Sequence, residues 1–441
     1  MQFLPQLAFV LIAGFFAYLI GKRVRRIAQN IKIGREVKLA PDPGGQRLKN
    51  MILVALGQKK MFKRIVPALL HMLIYVGFIL INIEVLEIVI DGILGTHRVF
   101  APFLGGLYTS AINFFEFLAV GVLFSCVVFS VRRNVLKINR FKKIEMVGWP
   151  ALDANLILII EVLLMLAILA MNGADQILQS RNVAHYTQTG DFFFSGLMFG
   201  WLDVLSTSTL IVVERGAWWF HIVGIFAFAL YVTYSKHLHI FLAFPNTYYG
   251  RLEAKGKMDN MDEITNEVKI MLGMPVEGGE SPPPEGMRFG AKDVNDLSWK
   301  NLMDAYACTE CGRCTSECPA NLTGKKLSPR KIMMDTRDRL EDVGKNGLDD
   351  GKTLLGDYIS KEEINACTNC NACVEACPVN INPLDIILQT RRYVAMEESG
   401  SPASWNAMFQ NVETNFAPWK FGSQDRFNWA DEMMEKVKEE V

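Results

Sequence analysis

Two copies of one cysteine motif near the C-terminal end constrain this chain more than any other feature. The first reads Cys308-Thr-Glu-Cys311-Gly-Arg-Cys314-Thr-Ser-Glu-Cys318-Pro319, and the second Cys367-Thr-Asn-Cys370-Asn-Ala-Cys373-Val-Glu-Ala-Cys377-Pro378. Three thiolates at every third residue of a tight loop can each hold one iron of a cubane, while the proline ends the loop and turns the last cysteine away. The spacing suits [4Fe-4S]. Zinc sites usually pair two CxxC units across a long spacer and fit this density poorly. Disulfides would need an oxidising compartment, and the basic flanks described below place this region in the cytoplasm, where thiols stay reduced.

In two-cluster ferredoxins the cysteine before proline ligates the other cluster. The expectation is therefore Cys308, Cys311, Cys314 and Cys377 on one cluster, and Cys367, Cys370, Cys373 and Cys318 on its neighbour. Two clusters in one small module mean electrons move singly.

Half of the 441 residues are hydrophobic and the formal net charge is zero, which argues for a membrane protein and against a nucleic-acid binder. The apolar residues crowd into residues 1–245. An apolar stretch from residue 3 to 21 is followed by Lys22, Arg23, Arg25 and Arg26. A signal peptide carries its charges in front, so this stretch is expected to be a retained span with its N-terminus outside. Further spans are expected near 65–90, 107–131, 152–171 and 218–243. The third ends in Arg132, Arg133, Lys137, Arg140, Lys142 and Lys143, which marks that end as inside. Residues 246–290, with Ser281-Pro282-Pro283-Pro284, are expected to be a linker, and 291–441 a soluble domain with a tail of little periodicity. Eight of nine cysteines lie in the motifs; Cys126 reads as a packing residue.

Membrane-buried imidazoles are functional by default, and histidine pairs on facing spans suit axial ligation of haem b. His71 and His239, expected at similar inner depths on spans two and five, form the best ligand pair. His221 and His239 are eighteen residues apart, five turns at about 3.6 residues per turn, so on one continuous helix they share a face and His237 points away. His221 is expected near the outer end and could hold a second haem, but span two has no second histidine: Ile81 stands ten residues after His71. His97, in the outer loop, is the available partner. Lys236 is a candidate for a haem propionate or a quinone oxygen. Glu84, Glu87, Glu116, Asp153 and Glu161 are expected mostly to snorkel from helix ends.

In helix count, topology and histidines on spans two and five, residues 1–245 resemble the five-span dihaem cytochrome b (gamma) subunit of respiratory nitrate reductase. Residues 289–441 resemble the heterodisulfide reductase-like iron-sulfur proteins, which include membrane-bound electron-transfer-flavoprotein:menaquinone oxidoreductases. The stretch Leu302–Cys314, the segment Gly324-Lys-Lys-Leu-Ser-Pro-Arg-Lys331 and the tail Asn415-Phe-Ala-Pro-Trp419 with Arg426 and Trp429 carry that likeness. Members of the family usually continue into a domain with paired Cys-Cys-Gly motifs, absent from this sequence, so the resemblance implies a separate partner protein bearing it, with an electron-transfer flavoprotein as a further partner.

The expected fold is mainly α: a five-helix transmembrane bundle followed by a cytoplasmic α-helical two-[4Fe-4S] ferredoxin-like domain, in a bacterial-type inner membrane. The expected function is electron transfer between a cytoplasmic redox partner and the membrane quinone pool through two [4Fe-4S] clusters and one or two haems b. The alternative is a non-catalytic membrane anchor or scaffold for a redox enzyme.

Overall fold

The computed structural model describes residues 3–37, 39–254, 256–276 and 288–439, and its regular structure is helical. Among the described residues, five helices are long and apolar enough to cross a membrane. They are α1 (Leu4–Lys32), α2 (Ile65–Leu94), α3 (Gly106–Ser130), α4 (Trp149–Ser180) and α5 (Thr207–Val232). Local chemistry fixes several ends. Pro5 opens α1 where its missing N–H costs nothing, Gly95 closes α2 in the left-handed conformation, and the Ser206 hydroxyl caps α5 by accepting from the Thr209 N–H. Each helix packs on its chain neighbour and α1 also touches α5, so the bundle closes.

Span five ends earlier than expected. After Val232 the chain leaves the helix at Thr233–Ser235, makes a 3-10 turn at Lys236–Leu238 and restarts as α6 (His239–Tyr248). The cause is a distant carboxylate. Asp153, 2% exposed near the first turns of α4, accepts from the Ser235 hydroxyl at 2.6 Å, the Tyr231 hydroxyl at 2.5 Å and the Lys236 N–H at 3.2 Å. The Ser235 hydroxyl in turn accepts from the His237 N–H. These bonds satisfy the polar groups that a helix break exposes. His221 and His239 therefore do not lie on one continuous helix, and the shared-face expectation fails. Because α5 begins at Thr207, His221 sits fourteen residues in, roughly 21 Å from that end of the helix and not near it.

Packing divides the chain into two compact units, one of Met1–Asp259 with Asp293–Ile387, the other of Asn260–Lys292 with Leu388–Val441. The expected boundaries at 245 and 290 are not where packing separates: the cysteine motifs belong to the same unit as the membrane helices. Asn246 and Thr247, read as linker, are fully buried, and the Tyr249 ring meets Trp299 at 5.2 Å. Ser281–Pro284 lie outside the described residues. The second unit contains helices Asp262–Met271, Ala403–Asn415 and Asn428–Glu439, so the tail is more regular than its weak periodicity suggests.

In the first unit the segment after α1 joins the backbone that leads to the motifs. The Arg35 N–H donates to the Leu297 carbonyl at 2.8 Å and the Trp299 N–H to the Arg35 carbonyl at 3.0 Å. Gly34 permits this approach, since a Cβ there would stand 2.6 Å from the Trp299 nitrogen. Nearby, Arg23 makes a two-pronged bond to Glu341 at 2.6 and 2.9 Å, and the Tyr306 hydroxyl donates to the same carboxylate. Burial pushes the Glu341 carboxyl up, but Arg23 and Tyr306 outweigh it and hold it below its ordinary 4.5. A depressed carboxyl adds stability that is complete above its unfolded value and lost only as pH falls through the folded one. Glu341→Gln should therefore lower stability by about 1–3 kcal/mol, with a gap from wild type that stays constant between about pH 8 and about pH 5.5. Thermal unfolding of the detergent-solubilised protein across that range measures it, and a gap that closes at the acid end contradicts the assignment.

Candidate electron-transfer site

The motifs are loops held between short helices. Helix α7 (Trp299–Ala307), opened by a capping box between Ser298 and Asn301, delivers Cys308 in extended conformation. Both loops then repeat one backbone device. Glu310 and Gly312 in the first, and Asn369 and Asn371 in the second, take positive φ of 55°, 72°, 55° and 60°. Left-handed residues at alternate positions suit the nest arrangement, in which successive N–H groups face a negatively charged group such as a thiolate-bound cluster. The Asn369 N–H points at Cys367 Sγ at 3.4 Å and the Ile381 N–H at Cys377 Sγ at 3.3 Å.

Two cavities result. One is lined by Cys308, Cys311, Cys314 and Cys377; the other by Cys318, Cys367, Cys370 and Cys373. Each draws three cysteines from one motif and the pre-proline cysteine from the other. Burial pushes the Cys308 and Cys373 thiols up to about 12 and Cys377 to about 11. Such thiols ionise on binding a cation, whose charge replaces the lost hydration. The donor set, four soft sulfurs around an enclosed space, fits an iron-sulfur cubane.

Basic residues around the motifs have specific partners here that the sequence did not announce. Arg64 bonds Glu317 at 2.9 Å and Ser316 at 2.8 Å, and Lys60 donates to the Cys377 carbonyl at 3.2 Å. Fully buried Arg330, on α8 (Pro329–Asn346), donates to the Arg140 carbonyl and to Glu145, both at 2.7 Å. Lys236 is occupied differently from the expectation. Its ammonium bonds Glu310 at 2.5 Å and the Pro150 carbonyl at 2.6 Å, with Asp153 at 3.8 Å, so two of its protons have partners within the protein. Burial pushes the Glu310 carboxyl up, but Arg337 and Lys236 hold it below the ordinary range. Glu310 stands between Cys308 and Cys311, so this bridge ties the first motif to the end of span five.

Three histidines meet at the end of the bundle that adjoins the motifs. The His71 and His239 rings are 6.4 Å apart between centroids. Two metal–imidazole bonds of about 2.0 Å laid end to end, with two imidazole half-widths, call for about 6 Å. His71 Nδ1 faces Gln58 Oε1 at 3.0 Å and His239 Nδ1 faces the Lys236 carbonyl at 3.1 Å. Each partner is an acceptor, so the proton sits on Nδ1 and the Nε2 lone pair is left for a metal. His237 lies 5.4 Å from His239, edge-on, and 5.5 Å from Phe228; its ring has no hydrogen bond among the described residues. His221 is 1% exposed, its Nδ1 faces the Leu164 carbonyl at 2.9 Å, and its Nε2 has no partner among the described residues. It makes no ring contact with another histidine among them. His97 does not supply one. Its Nδ1 accepts from the Thr187 N–H at 3.2 Å and its Nε2 faces Asp175 at 3.2 Å, so both nitrogens are taken.

Snorkelling is also overturned. Glu84, Glu87, Glu116, Asp153 and Glu161 are all buried, none more than 8% exposed. Cys126 is 1% exposed in the apolar core of the bundle.

The family model described as 4Fe-4S dicluster domain matches residues 307–381. The probable iron-sulfur-binding oxidoreductase FadF of Bacillus subtilis is 28% identical over 97% of this chain and 61% of its own length. The EtfAB:quinone oxidoreductase of Syntrophomonas wolfei is 28% identical over 53% of this chain and 34% of its own. The chain is thus similar to proteins named as iron-sulfur or quinone oxidoreductases. One component of a CoB-CoM heterodisulfide reductase from Methanosarcina acetivorans is likewise 34% identical over 22% of this chain and 49% of its own. The chain spans less than two thirds of the length of these relatives. No solved structure matches it.

Proposed function

We propose that this protein passes electrons singly between a cytoplasmic redox partner and the membrane quinone pool, through two [4Fe-4S] clusters and a haem b. One observation carries the reading: Arg313, which lines the first cysteine cavity, bonds the segment that holds His71. Arg313, between Cys311 and Cys314, donates to the Lys60 and Met61 carbonyls at 3.3 and 3.4 Å, and Gln58 on that same segment holds His71. When bound, the clusters and the haem supply one-electron chemistry that matches a single-electron wire to a two-electron quinone. Within the chain, Cys308, Cys311, Cys314 and Cys377 hold the cluster nearer the membrane, and Cys367, Cys370, Cys373 and Cys318 the outlying one. His71 and His239 are the axial pair; His221 offers a single imidazole toward a second haem.

The quinone link is supported by the name of the Syntrophomonas relative, and the cytochrome b reading of residues 1–245 by the histidine geometry alone. A separate partner protein carrying the Cys-Cys-Gly domain, and an electron-transfer flavoprotein, are the proposed partners; a relative that is itself one component of a heterodisulfide reductase supports the split arrangement. The basic inner ends support a reading with the motifs in the cytoplasm and the N-terminus outside a bacterial-type inner membrane.

A reduced-minus-oxidised spectrum of the purified chain, with haem-to-protein stoichiometry, tests the reading. The expected result is a b-type band that a water-soluble quinol can also generate. A haem-free protein with intact clusters would favour the membrane-anchor alternative.

A further inference from the structure

The half of the bundle away from the motifs has a polar interior that electron transfer alone does not need. Glu84, Glu87 and Asp91 on α2, Glu116 on α3 and Asp175 on α4 are all more than nine-tenths buried. Arg98 is the cation that bonds into this group: it reaches Asp175 at 2.9 Å, Glu84 at 3.4 Å and the Asn172 carbonyl oxygen at 2.6 Å. His97 takes the Thr187 N–H on Nδ1 and faces Asp175 with Nε2. At the rim, Glu214 is balanced by Arg215 and takes the Tyr186 hydroxyl. Five carboxyl groups thus surround one guanidinium in a low-dielectric space, where they cannot all ionise together.

Bonding separates the five. Asp91 accepts two backbone N–H groups and a hydroxyl, as does Glu116; Glu87 takes the Phe100 N–H and the Tyr108 hydroxyl; Asp175 holds Arg98. Glu84 has only two long contacts, from Arg98 and Asn172, both at 3.4 Å and both on one oxygen. Its second oxygen has no partner among the described residues. A carboxyl group so placed is the one best suited to carry a proton. It lies ten residues from the Leu94 end of α2, roughly 15 Å along the helix and so about halfway through a hydrocarbon core of about 30 Å.

From Glu84 a continuous series of polar contacts leads outward. Asn172 bridges Glu84 to Glu116, Arg98 joins Asn172 to Asp175, and Asp175 meets His97. The His97 ring lies 5.7 Å from that of exposed His185. We propose that Glu84, with Asp175 and His97 beyond it, forms a proton path between the middle of the bundle and the face opposite the cysteine motifs, serving the two protons of quinone chemistry, while Arg98 and Asn172 hold these groups in place and carry no proton themselves. The proposal rests on the quinone reading above. In balance, a quinol releases two electrons, singly, toward the haem and the cytoplasmic partner, and its two hydroxyl protons to the path; reduction of a quinone reverses both. Charge then separates across the membrane as the reaction runs.

The test uses the full chain in vesicles, oriented with the cysteine motifs outward and with a pH dye trapped inside. A water-soluble quinol is the probe, and haem reduction and lumenal pH are recorded together. The expected result is acidification of the lumen in step with haem reduction. Glu84→Gln should slow both by about a hundredfold, while dithionite still reduces the haem fully, and Glu84→Asp should recover most of the rate. Protons emerging on the motif side, or an unchanged rate in Glu84→Gln, overturns the path. Should that variant fail to fold, the side on which protons emerge from the unaltered protein decides by itself. Failure of the quinol to reduce the haem at all would count against the quinone reading instead.

Discussion

Replacing His71 or His239 with alanine is expected to remove the proposed b-type haem or leave it high-spin, whereas His237→Ala keeps a low-spin spectrum. The reason is not a shared helix face, since span five breaks at Thr233–Ser235. It is the hydrogen bonding of the rings. His71 and His239 each commit Nδ1 to a carbonyl oxygen, which sets the tautomer and leaves Nε2 as the proposed ligand atom. Their 6.4 Å ring separation leaves room for one metal between them. His237 stands edge-on to His239 at 5.4 Å with nothing among the described residues to orient its ring by a hydrogen bond. Loss of one imidazole removes a strong-field ligand outright, so the effect is loss of a spectral species and not a modest shift. Low-temperature electron paramagnetic resonance of the three variants, after confirming equal membrane accumulation, measures it. A low-spin signal lost in His237→Ala and kept in His239→Ala would reverse the assignment.

What could be read from the sequence was what depends on neighbours along the chain. The cysteine motifs carry their chemistry in local spacing, and the spans in local hydropathy. The break in span five was legible only in part: Ser235 is a capping residue, but the carboxylate that stabilises the break is Asp153 on another helix. The same distance in sequence hid the partners of Arg64, a charge that also suits the inner side, and of Lys236, which read instead as a propionate or quinone contact. Such a residue can serve both purposes, setting topology during insertion and then docking the motif domain. The buried carboxylates were misjudged for a related reason. Glu84 and Glu116 are tolerable in a bundle only because Arg98 and Asn172 arrive from elsewhere to meet them, and no periodicity announces that.

Removing Cys377 should abolish the cluster built on the first motif, and removing Cys318 the cluster built on the second. The cavities carry this expectation. Cys377 lines the space shared by Cys308, Cys311 and Cys314, although it follows Cys373 by only four residues in the chain. Each pre-proline cysteine sits at the end of its motif's short helix, Arg313–Ser316 or Ala372–Ala376, and those two helices pack against each other. That contact lets the last thiol of each motif reach across. A sequential assignment, four cysteines of one motif to one cluster, would instead make Cys377→Ala behave like Cys367→Ala. The crossed assignment predicts that Cys377→Ala shares its phenotype with Cys311→Ala, and Cys318→Ala with Cys370→Ala. Because Arg313 of the crossed cavity bonds the segment that holds His71, the first pair should also lose fast electron exchange with the haem. The second pair should leave that exchange intact and lose only the electron route from the soluble partner. Iron content falling from about eight to about four per chain, with paramagnetic spectra matching in those pairs, is the expected outcome; matching within each motif would return the ligands to sequential order.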